Sequence, residues 1–122
     1  MAIIFIVSSI PDLGALPGGV TDKSGHSIGY AILAALLLRA LAGGRWSGVT
    51  WGRALLAIVL ATLYGVSDEW HQSFVPGRSP DVLDVVADMT GAMAAVALIG
   101  AAAAGRAWGI LKSSSPPGDA DR

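Results

Sequence analysis

Apolar positions fall in four runs separated by short polar breaks, at residues 1–10, 25–42, 46–66 and 82–104. The runs are continuous and rich in Leu, Ala and Val, without the strict alternation of a half-buried strand. A membrane barrel would show alternation in segments of about ten residues with many turns. Only a helix satisfies its backbone polar groups within one lipid-buried segment. A helix rising about 1.5 Å per residue crosses a hydrocarbon core of about 30 Å in about 20 residues. The last three runs are of that order, whereas the first reaches only about 15 Å. It reads as a half-spanning or interfacial helix, as a helix continuing past Pro11, or as the remainder of a longer helix behind a start codon set too late. The expected fold is therefore all-α: a polytopic membrane helical bundle of three full transmembrane helices plus a short or truncated N-terminal one.

The polar breaks carry matching signals. Gly43-Gly44 ends the second run, and Arg39 near that end can snorkel to an interface. Trp46 and Trp51 suit an interfacial aromatic belt, with Arg53 beside them. The fourth run is rich in Ala and Gly, which lets helices approach closely. Residues 1–112 then form one membrane domain, and the Ser-, Pro-, Gly- and Asp-rich residues 113–122 read as a disordered cytoplasmic tail. No basic n-region or A-x-A site marks a secretory signal.

Composition strengthens the membrane reading. Only 14% of the 122 residues are charged and 53% are hydrophobic, against about 25% charged in typical soluble domains. A chain this small would expose too much apolar area to stay monomeric in water. The absence of cysteine excludes a disulfide scaffold and thiolate ligands, and the net charge of −1 argues against nucleic acid as a partner. The lipid bilayer is the first partner implied, and a homo-oligomer is compatible with the pattern. Arg39, Arg45 and Arg53, with Arg106, Lys112 and Arg122, set six basic residues against Lys23 and Arg78. That asymmetry puts the loop at residues 39–53 and the C-terminus in the cytoplasm, and the loop at residues 67–80 on the outer side.

The stretch SDEWHQSFVPGRSPDVLDVVAD, residues 67–88, holds five of the nine acids: Asp68, Glu69, Asp81, Asp84 and Asp88. Gln72 shares a helical face with Asp68 or Glu69. Pro76-Gly77 forces a turn, Pro80 suits a first helical position with Ser79 as its cap, and Asp22 and Asp81 suit capping roles. Asp84 and Asp88, four residues apart, stack on one face of the last helix. Carboxylates at membrane depth cost at least about 2.5–3.5 kcal/mol on insertion scales, so they face a partner or a wet cavity. If the second and fourth runs touch, Lys23, His26 and Tyr30 meet this cluster, and Arg78 joins it from the turn. Asp68, Glu69, Asp84, Asp88 and His26 are the candidates for acid–base chemistry, and Lys23, Tyr30, Gln72 and Arg78 for ligand contact. The plainer alternative is interhelical polar glue, with Trp70 and Phe74 as interface anchors and His71 facing solvent. There is no H-E-x-x-H, no G-x-S-x-G and no P-loop. Zinc and organic cofactors are therefore unsupported, while a hard divalent cation held through carboxylate oxygens is compatible.

At these residues the chain resembles the VanZ-like family of small bacterial membrane proteins. The likeness rests on Asp22-Lys23-x-x-His26-x-x-x-Tyr30 and, more specifically, on Ser67-Asp68-Glu69-x-x-Gln72-x-Phe74-x-Pro76-Gly77-Arg78 followed by Asp81-x-x-Asp84-x-x-x-Asp88-x-x-Gly91. It covers residues 22–91, and the short first run departs from members with a full first helix. The resemblance implies an all-helical integral membrane protein of the cell envelope. It also implies a link to glycopeptide resistance, since the founding member gives low-level teicoplanin resistance. Four functions are compatible: binding or modification of an amphiphilic or lipid-linked, lipopeptide-like envelope molecule; hydrolase or transferase activity on such a lipid; proton- or ion-coupled transport; or a structural membrane subunit.

Overall fold

The computed structural model describes Ile4, Ile6, Ser9 and residues 22–114. The described residues form three α-helices and one short 3₁₀ turn, with no strand among them. Helix α1 spans Asp22–Leu41, the 3₁₀ turn Trp46–Gly48, α2 Trp51–Gln72 and α3 Val82–Ser114. Ile4 and Ile6 are helical and Ser9 lies in a turn. The expectations for the rest of the first run and for residues 115–122 lie outside the described residues.

The helix ends follow from local chemistry. Gly43 and Gly44 take positive φ (62° and 72°), so the chain reverses where a side chain would be strained. Their N–H groups donate back to the carbonyls of Ala40 and Arg39. Helix α2 opens on Thr50, whose hydroxyl oxygen accepts from the Arg53 N–H. Arg53 reaches back to the Gly48 carbonyl at 2.7 Å. Helix α3 opens later than the Pro80 signal suggests. Asp81, not Ser79, supplies the cap, its carboxylate accepting from the Leu83 N–H at 2.8 Å.

The helices pack through small residues. Helix α1 contributes Tyr30, Leu33, Ala34 and Leu38 to the core, α2 contributes Ala54, Ala57 and Ala61, and α3 contributes Ala92 and Val96. The α2 alanines recur at helical spacing and form one flat face. Gly91 of α3 lies directly against the backbone carbonyl of Ser27 in α1, a contact no side chain would permit. Close approach of this kind is how membrane helices gain packing without a hydrophobic driving force. The outward faces remain apolar, with Ile28, Ile32, Leu36, Leu55, Leu63, Met93 and Leu98 all exposed.

Two of these helices, residues Lys23–Leu41 within α1 and Val82–Ser114, are long and apolar enough to cross a membrane. The expectation of three full spans is not met. Helix α2 has the length, but its apolar stretch is confined between Arg53 and the pair Asp68-Glu69. Helix α3 extends in the other direction. At 33 residues it is about 50 Å long, well beyond the apolar run at residues 82–104. Its last turns carry Arg106 and Lys112, good helix formers that do not interrupt it.

Candidate functional site

The acidic end of the bundle is built from the last turns of α2 and the first turns of α1 and α3. Helical spacing puts Asp68, Glu69 and Gln72 on the face of α2 that turns inward, and all three are buried. Asp84 and Asp88 turn inward from α3 by the same rule and are also buried. Asp88, 1% exposed, is among the most enclosed side chains of the bundle.

These groups are tied together within and across helices. The Gln72 amide donates to Asp68 Oδ2 at 3.3 Å. The backbone N–H of Asp81 donates to Glu69 Oε2 at 2.8 Å, clamping the start of α3 to the end of α2. Lys23, in the first turn of α1, donates to Asp81 Oδ2 at 2.6 Å and to Asp84 Oδ1 at 3.0 Å. The ammonium of Lys23 holds the exposed Asp81 carboxyl below the usual carboxylate range, helped by the Leu83 N–H. One turn along α1, His26 Nδ1 lies 3.1 Å from Asp88 Oδ1. The His26 ring stacks on Tyr30, with centroids 6.2 Å apart, and Tyr30 tilts against Tyr64 of α2 at the same separation. His26, Glu69 and Asp84, one from each helix, place donor atoms within 4.8 Å of one another. Glu69 Oε1, Asp88 Oδ2 and the Tyr30 hydroxyl are buried with no hydrogen-bond partner among the described residues.

Of the residues singled out in the sequence, the structure brings Lys23, His26, Tyr30, Asp68, Glu69, Gln72, Asp84 and Asp88 into this one cluster. Arg78 sits half-buried in the turn after α2, its N–H bonded to the Val75 carbonyl. His71 does not simply face solvent, because its Nε2 lies 3.0 Å from the Ser9 hydroxyl. Trp70 and Phe74 are exposed and meet edge to face, with centroids 5.6 Å apart. A half-open cavity of about 450 Å³ lies beside the cluster along the last turns of α2 and the turn that follows, lined by Tyr64, Ser67, Asp68, Trp70, His71 and Phe74. Tyr64 is an addition to the sequence reading, although it precedes Asp68 by one helical turn and so shares its face. Gly65 is another: it leaves room for the Asp88 carboxylate, a role visible only once α2 and α3 are packed.

The profile of the VanZ/LLP1 family matches residues 5–103. The chain belongs to the VanZ/LLP1 family. No curated protein and no solved structure shows significant similarity to it. The stretch that matches VanZ/LLP1 contains the whole polar cluster, from Lys23 to Asp88, and stops short of Arg106 and the final turns of α3.

Chemically, the VanZ/LLP1 cluster combines three capacities. The His26–Asp88 pair sets an imidazole against a buried carboxylate at 3.1 Å, the pairing that general acid–base chemistry uses. The carboxylates can hold a cation through oxygen. The neighbouring cavity offers aromatic walls beside a buried carboxylate, a combination suited to a ligand with both apolar and polar parts.

Proposed function

We propose that this VanZ/LLP1 protein is a multi-pass bacterial membrane protein whose acidic end lies at the outer face and binds an amphiphilic or lipid-linked envelope molecule. The single observation that carries this reading is the cavity lined by Tyr64, Trp70 and Phe74 with Asp68 in its wall. Its aromatic surfaces take the apolar part of the ligand, and the polar head reaches the carboxylates behind Asp68. The six basic residues Arg39, Arg45, Arg53, Arg106, Lys112 and Arg122 support the proposed orientation. A link to glycopeptide resistance fits the same ligand class, since teicoplanin carries an acyl chain.

Native mass spectrometry of protein extracted in mild detergent tests the reading. A co-purified lipid or lipopeptide is expected in the wild type, and its loss in Asp68→Asn and Trp70→Ala proteins that remain folded. Identical occupancy in all three, or none in the wild type, refutes it.

A second reading, catalysis on that molecule by a hydrolase or transferase, is favoured by the contact of His26 with the buried Asp88 at 3.1 Å. A carboxylate behind imidazole orients the ring and stabilises its protonated form, as general base catalysis requires. Turnover of lipid-linked wall precursors by wild type, abolished in Asp88→Asn, separates the enzyme from the binder.

A further inference from the structure

We propose that His26, Glu69 and Asp84 form a binding site for one divalent transition-metal ion of the manganese-to-zinc series. Each ligand comes from a different helix, so a bound ion joins α1, α2 and α3 at their acidic end. The three donor atoms lie within 4.8 Å of one another. Metal–ligand bonds of about 2.0–2.2 Å set three donors around one ion about 3.3–3.8 Å apart. Closing the site from 4.8 Å takes side-chain movement of about 1–1.5 Å.

The donor chemistry narrows the ion. Imidazole favours zinc, iron and nickel, carboxylate oxygen favours manganese and harder ions, and a mixed set of one nitrogen and two carboxylates lies between them. A second observation points the same way. Glu69 is buried and keeps one carboxylate oxygen without a hydrogen-bond partner among the described residues. A buried carboxylate oxygen left unpaired calls for a positive partner. The Lys23 ammonium serves Asp81 and Asp84 from the outer edge.

Asp88 supports the arrangement through its contact with His26. His26 Nδ1 lies 3.1 Å from Asp88 Oδ1, and with the proton on Nδ1 the ring donates to Asp88 and leaves Nε2 as its basic nitrogen. Metal-bound histidines are held by carboxylates in this way, and loss of such a partner lowers metal affinity about 10- to 100-fold. The site stands on its own donor set and does not depend on what occupies the neighbouring cavity.

The test uses the full chain in mild detergent, stripped with a chelator and titrated with Mn²⁺ under electron paramagnetic resonance, with Zn²⁺ as competitor. The expected result is one saturable Mn²⁺ per chain, displaced by Zn²⁺, with nitrogen hyperfine coupling. That coupling is lost in His26→Gln and kept in His71→Gln. Glu69→Gln and Asp84→Asn lower the affinity at least about tenfold, and Asp88→Asn by about 10- to 100-fold. Absence of saturable binding of either ion overturns the proposal, as does an oxygen-only spectrum or equal affinity in Glu69→Gln. The wild-type spectrum decides the case even where a variant fails to fold.

Discussion

Gly65 of α2 faces the buried carboxylate of Asp88 in α3 so closely that a Cβ at residue 65 would stand 2.6 Å from Asp88 Oδ2. Asp88 cannot swing away cheaply, because its other oxygen is paired with His26. Gly65→Ala is expected to lower stability by about 1–3 kcal/mol through overpacking, offset in part by the better helix propensity of alanine, worth about 1 kcal/mol. Gly52 lies in the same helix, and a methyl group added there would meet no heavy atom within 4 Å. Gly52→Ala is therefore expected to gain stability. Thermal unfolding in detergent, comparing the two variants, checks the opposite signs.

Gly91 gives the stronger version of the same effect. Its missing side chain faces the Ser27 backbone carbonyl, and backbone cannot rotate aside. Gly91→Ala must separate α1 from α3, which also pulls Lys23 and His26 away from Asp84 and Asp88. The expected loss is about 3 kcal/mol, the upper end of ordinary overpacking. Gly29, also in α1, has nothing within 4 Å and should tolerate alanine. Limited proteolysis of the two variants side by side would expose the difference as rapid cleavage of Gly91→Ala alone.

Hydropathy and i,i+4 spacing are local properties, so the helices and their inward faces are legible in the sequence. Asp84 with Asp88, and Asp68 with Gln72, can be placed on common faces without any structure. Partners across helices cannot. Lys23 and Asp84 are 61 residues apart, and His26 and Asp88 are 62 apart. The cap of α3 is ambiguous for a related reason. Ser79 and Asp81 are both good capping residues, and the start that is realised coincides with the long-range bond from the Asp81 N–H to Glu69. The length of an apolar run also underestimates a helix that continues through Arg106 and Lys112. Conversely, 22 helical residues in α2 do not make a full span when polar groups occupy its last turns.

Lys23 links an exposed carboxylate and a buried one, and only the second is costly to abandon. Lys23→Met removes the cation beside Asp84, whose side chain is 8% exposed. The exposed Asp81 simply turns to water. Lys23→Met should therefore destabilise the bundle, and adding Asp84→Asn should restore part of the loss, since the neutral amide needs no counter-charge. Adding Asp81→Asn instead should restore little. Melting temperatures of the single and double variants provide the cycle; equal rescue by both second substitutions would contradict this account.

At the opposite end of the bundle, Trp46 is approached by two guanidinium groups, Arg39 at 5.5 Å and Arg106 at 4.7 Å from the ring centroid. Arg39 belongs to the last turn of α1 and Arg106 to the extended part of α3, so the ring couples two helix ends through the short 3₁₀ turn. Cation–π contacts at partly exposed sites contribute about 0.5–1 kcal/mol each and weaken from tryptophan to phenylalanine. Trp46→Leu is expected to lower stability by about 1–2 kcal/mol, and Trp46→Phe by a smaller amount. The decisive comparison removes the cations: in an Arg39→Met, Arg106→Met background, Trp46→Leu should cost much less. If the cost is unchanged there, the ring acts by apolar packing alone.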